Sequence, residues 1–150
     1  MIALEPLFQA RITLAPPCEL GETPRGRRRI IGITGGSFTG PRLSGQVLPG
    51  GADWQVIRGD GVACLDARYT LETADGALVY VENRGYRHGP REVIERLARG
   101  ENVDPALYYM RTTPWFETSD PRYAWLNCIV CVGTGARRAA AVELTFFEIK

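Results

Sequence analysis

Five charged side chains in this sequence have the neighbours that acid–base or anion chemistry needs: Asp53, Asp66, Arg68, Arg111 and Glu117. Asp53 follows the Gly50-Gly51 turn and precedes Trp54. Asp66 and Arg68 alternate along the run 62–73, and Arg111 and Glu117 lie in Tyr108-Tyr-Met-Arg-Thr-Thr-Pro-Trp-Phe-Glu117. A carboxyl stripped of water has a raised pKa, while one beside an arginine keeps a low one, so its surroundings decide whether it can carry a proton. Arginine presents a planar fork that fits a carboxylate or a developing oxyanion. Trp54, Asn83, Tyr109, Trp125 and Asn127 are the matching candidates for ligand contacts, since tryptophan offers a flat wall and asparagine both donates and accepts hydrogen bonds. The competing reading for each is structural. Tryptophan packs cores, Asp66 and Arg68 suit a solvated outer strand face, and Arg111 suits a salt bridge with Glu117 or Asp66.

Other chemistries lack their residues. His88 is the only histidine, and no HxH or HExxH spacing exists, so no metal is expected. Cys128-Ile-Val-Cys131 has CxxC spacing, but it falls in a run that reads as a strand. Alternation there would put the two sulfurs on opposite faces, as buried structural thiols. Ser37 and Ser44 lack a nucleophile-elbow context. Gly32 to Gly40 is glycine-rich but matches no phosphate-binding pattern, which fits a bent strand and no nucleotide cofactor. Arg25 to Arg29 is a basic cluster, yet the net charge is +1, so nucleic acid is not an expected partner.

The elements that must position these residues are mostly strands. Turn signals recur at Pro16-Pro17, Gly35-Gly36, Gly40-Pro41, Pro49-Gly50-Gly51, Asp60-Gly61, Asp75-Gly76, Gly89-Pro90 and Asp120-Pro121. Between them, strands are expected at 4–14, 28–39, 42–48, 53–58, 62–73, 77–84, 107–113, 124–132 and 140–148, with Asp75-Gly76 the clearest hairpin. One helix is expected over 90–100, started by Pro90, ended by Gly100 and striped with Val93, Ile94 and Leu97. The 150 residues, 45% hydrophobic and 23% charged, suit a single domain over 1–150. Its expected form is all-β: a closed or nearly closed antiparallel barrel of about eight strands, wide enough for one small ligand. No stretch approaches the roughly 20 apolar residues of a membrane helix, and the N-terminus lacks a signal-peptide layout, so a cytoplasmic location is expected.

Gly35-Gly-Ser-Phe-Thr-Gly40, Leu43-Ser-Gly-Gln-Val-Leu-Pro-Gly-Gly-Ala-Asp-Trp54, Asp66-Ala-Arg-Tyr69, Asn83-Arg-Gly85, Tyr109-Met-Arg-Thr-Thr-Pro-Trp-Phe-Glu-Thr118, Trp125-Leu-Asn127 and Val132-Gly-Thr-Gly135 together resemble the domain-of-unknown-function family DUF3237 (UPF0311). The resemblance runs from about Leu7 to Glu148, with Met110 standing where phenylalanine is expected. It implies a small, lipocalin-like β-barrel and treats Asp53, Trp54, Asp66, Arg68, Asn83, Arg111, Glu117, Trp125 and Asn127 as a set, without giving any of them a role.

The expected function is a small-molecule-binding barrel acting as a cofactor-independent enzyme. Its chemistry would be proton transfer: hydration, elimination or isomerisation next to a carbonyl. Arg68 or Arg111 would hold the oxyanion, Asp53, Asp66 or Glu117 would move the proton, and Trp54 and Trp125 would wall the pocket. The alternatives are a carrier barrel that leaves its ligand unchanged, and a charged set that only locks the fold. A homodimer or larger homo-oligomer through Trp115-Phe116 is a further expectation.

Overall fold

The computed structural model describes all residues, 1–150. Ten strands are joined in one antiparallel sheet: β1 (Leu4–Leu14), β2 (Cys18–Thr23), β3 (Gly26–Thr39), β4 (Ser44–Val47), β5 (Ala52–Ile57), β6 (Ala63–Thr73), β7 (Leu78–His88), β8 (Tyr109–Glu117), β9 (Cys131–Arg137) and β10 (Ala141–Ile149). Pairing runs β1-β10-β9-β8-β7-β6, continues through β4 and β5 to β3, and returns by a β1–β3 ladder. The sheet is therefore a closed barrel of eight staves, with β4 and β5 sharing one of them. Closure pairs the edges that would otherwise invite aggregation. β2 takes over from β1 along the same edge of β3.

The turn chemistry acts as its residues dictate. Gly61 and Gly76 take φ of 86° and 89° in the β5–β6 and β6–β7 hairpins, where a side chain would be strained. The expected helix forms as α1 (Arg91–Ala98), burying Val93, and Gly100 ends it at φ 79°.

Strand alternation sorts the barrel interior into two layers. At one end Phe8 packs on Phe38, Phe116 and Phe146 with ring centroids 5.2, 5.9 and 5.0 Å away. Four residues along each strand, two repeats of the pleat, the strands that supply Phe8, Phe116 and Phe146 point Ile12, Thr112 and Val142 into a cavity instead. The chain around α1 packs at the far end. There Val93, Val103 and Tyr108 are buried, and the Arg138 guanidinium reaches Asn102 and the Val103 carbonyl.

Three expectations change. The run 124–132 is not a strand. Pro121–Cys128 is a kinked 3₁₀ segment started by Pro121 and capped by the Asp120 carboxylate, which accepts from Arg122 N–H at 2.9 Å. Strand β9 begins only at Cys131, so Cys128 and Cys131 do not share a strand; Cys128 is exposed while Cys131 is buried, and the two form no disulfide. Burial pushes the Cys131 thiol up to about 11, leaving it unreactive. Strand β2, in the polar stretch Cys18-Glu-Leu-Gly-Glu-Thr23, carried no hydrophobic alternation and was not expected.

Candidate functional site

The cavity is lined by residues on the inward parity of eight strands, β1, β3 and β5 to β10. The space a water-sized sphere's centre can occupy is only about 50 Å³, and the empty space counted out to open solvent is about 550 Å³. Half the wall is aliphatic, with Ile12, Leu14, Ile31, Ile33, Leu65, Val142 and Leu144; the rest is Asp53, Gln55, Tyr69, Asn83, Arg87, Thr112 and Arg137 among smaller neighbours. Glycines make the room. A methyl group on Gly133 would come within 2.6 Å of Thr112 Oγ1 and of the Phe146 ring, so only glycine lets Thr112 face the cavity there.

Asp53 is fixed by a break in the wall. The β5–β6 ladder pairs Ala52 with Arg68 and Asp53 with Ala67, then resumes at Val56 with Cys64 in the same register. In the gap the Asp66 N–H donates to Asp53 Oδ1 at 2.8 Å in place of a strand carbonyl, and Gln55 Nε2 donates to Oδ2 at 3.2 Å. Burial pushes the Asp53 carboxyl above the usual carboxylate range, against the pull of these two hydrogen bonds and of the Arg87 charge. Arg87 is 9% exposed. Burial first, then the like charges of Arg137 and Arg29, push its guanidinium down to about 10, so it stays a cation at neutral pH. Burial also lowers Arg137, whose Nη1 donates to the Ala141 carbonyl at 3.1 Å and whose N–H donates to the Tyr108 hydroxyl at 2.8 Å.

Four buried oxygens on the wall have no hydrogen-bond partner: Gln55 Oε1, Tyr69 OH, Asn83 Oδ1 and Thr112 Oγ1. Buried polar atoms are nearly always satisfied, so four orphans on one small surface mark a place prepared for polar groups that come from outside the chain. Burial drives the Tyr69 hydroxyl pKa upward, which keeps it a neutral donor. No cluster of three or more His, Cys, Asp or Glu suited to a metal ion occurs.

Of the sequence candidates, the cavity gathers Asp53 and Asn83. The others lie elsewhere. Asp66 and Arg68 are on the outer parity of β6, where Arg68 Nε and Arg84 Nε approach Asp66 Oδ1 at 3.7 and 3.4 Å and Arg68 also reaches Glu82 at 3.8 Å. Trp54, adjacent to Asp53, necessarily points the opposite way and flanks Asp66 and Arg68 in an outer cleft. Tyr109, Arg111 and Glu117 share the outward parity of β8. Tyr109 stacks on His88 at 4.9 Å, and Arg111 forms no ion pair with Glu117 or Asp66, donating instead to the Met110 carbonyl at 2.9 Å. Trp125 lies under the Arg42 guanidinium at 3.9 Å, and Arg42 in turn meets Glu148 at 2.6 Å. Asn127 staples the 3₁₀ segment, accepting from Thr118 N–H at 2.8 Å and donating to the Thr118 carbonyl at 3.0 Å. Gln55, Tyr69, Arg87, Thr112 and Arg137 were missed. Parity could have found them, because Arg87 continues Val79, Val81 and Asn83, and Arg137 continues Cys131, Gly133 and Gly135.

A family model described as "Protein of unknown function (DUF3237)" matches residues 2–149. The chain belongs to the DUF3237 family. A UPF0311 protein of Rhodopseudomonas palustris is 50% identical over 129 residues, 86% of this chain and 84% of that protein. The crystal structure of a β-barrel-like protein from Acinetobacter baumannii superposes with a TM-score of 0.88 at 49% identity, covering all of this chain and 97% of that one. More distant is a hydroalkoxylation enzyme of Penicillium herquei, 28% identical over 147 residues, 98% of this chain and 83% of that protein. The crystal structure of an enzyme from the same organism superposes with a TM-score of 0.75 at 25% identity, over 99% of this chain and 95% of that one. This DUF3237 chain therefore shares a barrel with an enzyme as well as with proteins of unknown function.

Proposed function

We propose that this DUF3237 protein is an enzyme that adds an O–H group across a carbon–carbon double bond conjugated to a carbonyl, or reverses that addition, inside its barrel. The observation that carries the proposal is Asp53: a carboxyl held by two hydrogen bonds on the wall of a largely enclosed cavity, with its proton affinity raised by burial. The similarity to a hydroalkoxylation enzyme supports the same chemistry, since hydroalkoxylation is the addition of an alcohol O–H across a double bond.

The residues divide the work as follows. Asp53 takes the proton of the attacking hydroxyl as its oxygen bonds to the β-carbon. The double-bond electrons move through the α-carbon onto the carbonyl oxygen, and the Arg87 guanidinium stabilises the resulting enolate. Asp53, now a carboxylic acid, returns its proton to the α-carbon, so that substrate and product are isomers and no electrons enter or leave. With water as the nucleophile the same steps amount to hydration, and with loss of the oxygen nucleophile they amount to elimination. The raised pKa suits a group that must accept and then surrender a proton.

The test uses small enones bearing a pendant hydroxyl, incubated with the protein in D₂O. The expected product is a cyclic isomer with one deuterium at the carbon next to the carbonyl. Asp53→Asn should slow its formation by about 10²–10⁴-fold, the ordinary weight of a general acid–base group. Formation at an undiminished rate in Asp53→Asn would remove Asp53 from the reaction. Recovery of an unaltered small molecule from the purified protein would favour a carrier, a reading that the four unpartnered wall oxygens support equally well.

A further inference from the structure

The cavity holds more positive charge than proton transfer at Asp53 requires. Arg29, Arg87 and Arg137 come from β3, β7 and β9, each on its strand's inward parity. They lie close enough to feel one another and Asp53 electrostatically. Arg87 is nine-tenths buried, yet its guanidinium is in no ion pair and donates no hydrogen bond. The Arg137 guanidinium gives a single hydrogen bond, to a backbone carbonyl. Arg29 has only Glu19, 3.5 Å away and half exposed, and its buried Nε has no hydrogen-bond partner. The one carboxylate on the cavity wall, Asp53, spends its oxygens on a backbone N–H and an amide, and it enters no ion pair.

A buried guanidinium without a carboxylate is among the least favourable arrangements in a protein interior, and it persists where something else supplies the counter-charge. An enolate formed during turnover would supply it only for an instant. A permanent anion on the ligand would supply it throughout binding, and a carboxylate matches the planar fork of arginine in shape as well as charge.

We propose that the cavity takes an organic anion whose carboxylate seats on Arg87 and Arg137, with Arg29 adding charge from behind and the carbon skeleton lying on Ile31, Leu65, Val142 and Leu144. This deepens the reading of the cavity as a substrate site and rests on it, but it does not depend on which reaction follows. It also explains the placing of Asp53: a carboxyl kept off the three arginines leaves them free for the ligand.

Calorimetric titration of the whole protein with benzoate, its uncharged isostere benzamide and inorganic phosphate tests the proposal. Benzoate should bind about tenfold or more tightly than benzamide and than phosphate, the least that charge-assisted hydrogen bonds contribute. Arg137→Gln and Arg87→Met should each abolish that preference, while Arg84→Gln on the outer face should leave it intact. If Arg87→Met does not fold, the less buried Arg137→Gln carries the comparison alone. Equal binding of benzoate and benzamide, absence of benzoate binding, phosphate binding as tight as benzoate, or a preference that survives Arg137→Gln would each overturn the proposal. Asp53→Asn separates the two readings. It should keep or tighten benzoate binding, so a variant that binds benzoate and still turns over hydroxy-enones would sink proton transfer at Asp53 and leave the anion site standing.

Discussion

At the scale of single residues, what a side chain can do depends on which way it faces. Asp53 and Asp66 are both acids on neighbouring strands, and by residue type and spacing each has a similar claim to chemistry. One faces a cavity with aliphatic walls, while the other sits on the outer surface between Arg68 and Arg84. Solvent screens ion pairs this exposed, so Asp66→Asn should change stability little, as a chemical denaturation curve would show. The Asp53 carboxyl carbon, followed by NMR through an acid titration, should titrate above 3.8, because burial outweighs its two hydrogen bonds; a midpoint at or below 3.8 would contradict the desolvated site. Tyr69→Phe removes a buried hydroxyl that has no partner within the chain. It should leave the unliganded protein as stable or up to about 1 kcal/mol more stable, and should weaken ligand binding, which melting curves with and without benzoate would separate.

At the scale of elements, periodicity was the readable signal. Alternation along 62–73 and 107–113 tells which residues share a face, and both groupings form, but Ala63, Leu65 and Tyr69 turn inward while Tyr109, Arg111 and Thr113 turn outward, away from the pocket expected of Tyr109 and Arg111. What alternation alone could not tell was that the polar residues worth following were the inward ones. Arg87 and Asn83 break an apolar inward row, whereas Arg68 and Arg111 merely continue polar outward ones. The 3₁₀ segment Pro121–Cys128 escaped notice because Trp125, Leu126, Ile129 and Val130 read as a strand, while the interactions that fold it, an Asp120 cap and the Asn127 staple to Thr118, are made by single polar side chains. Asn127→Ala removes two hydrogen bonds and should cost about 1–3 kcal/mol in equilibrium unfolding. It should leave benzoate binding unchanged, since Asn127 is not on the cavity wall.

At the scale of the whole molecule, a barrel with one aromatic layer and one polar layer trades stability for a site. The Phe8, Phe38, Phe116 and Phe146 layer fills its end of the lumen, while the other end carries polar groups that have no partner within the chain. The pH dependence should carry the mark of Asp53. Its folded pKa is raised above the unfolded value, so the folded protein holds the proton more tightly than the unfolded chain does. This group's contribution is fully present below about 3.8 and is lost as pH rises through the folded pKa. The melting temperature of Asp53→Asn relative to the unsubstituted protein should therefore climb across that window and then level off; a relative decline would mean the carboxylate is stabilised in the fold. The measurement that bears most directly on the central claim compares the inner and outer carboxyl groups in one reaction, as kcat/KM for cyclisation of a hydroxy-enone by Asp53→Asn and by Asp66→Asn. A loss of about 10²-fold or more in Asp53→Asn, with Asp66→Asn within about twofold of the unsubstituted protein, is the predicted result. An Asp66→Asn loss equal to or greater than that of Asp53→Asn would put the chemistry on the outer face and contradict the account.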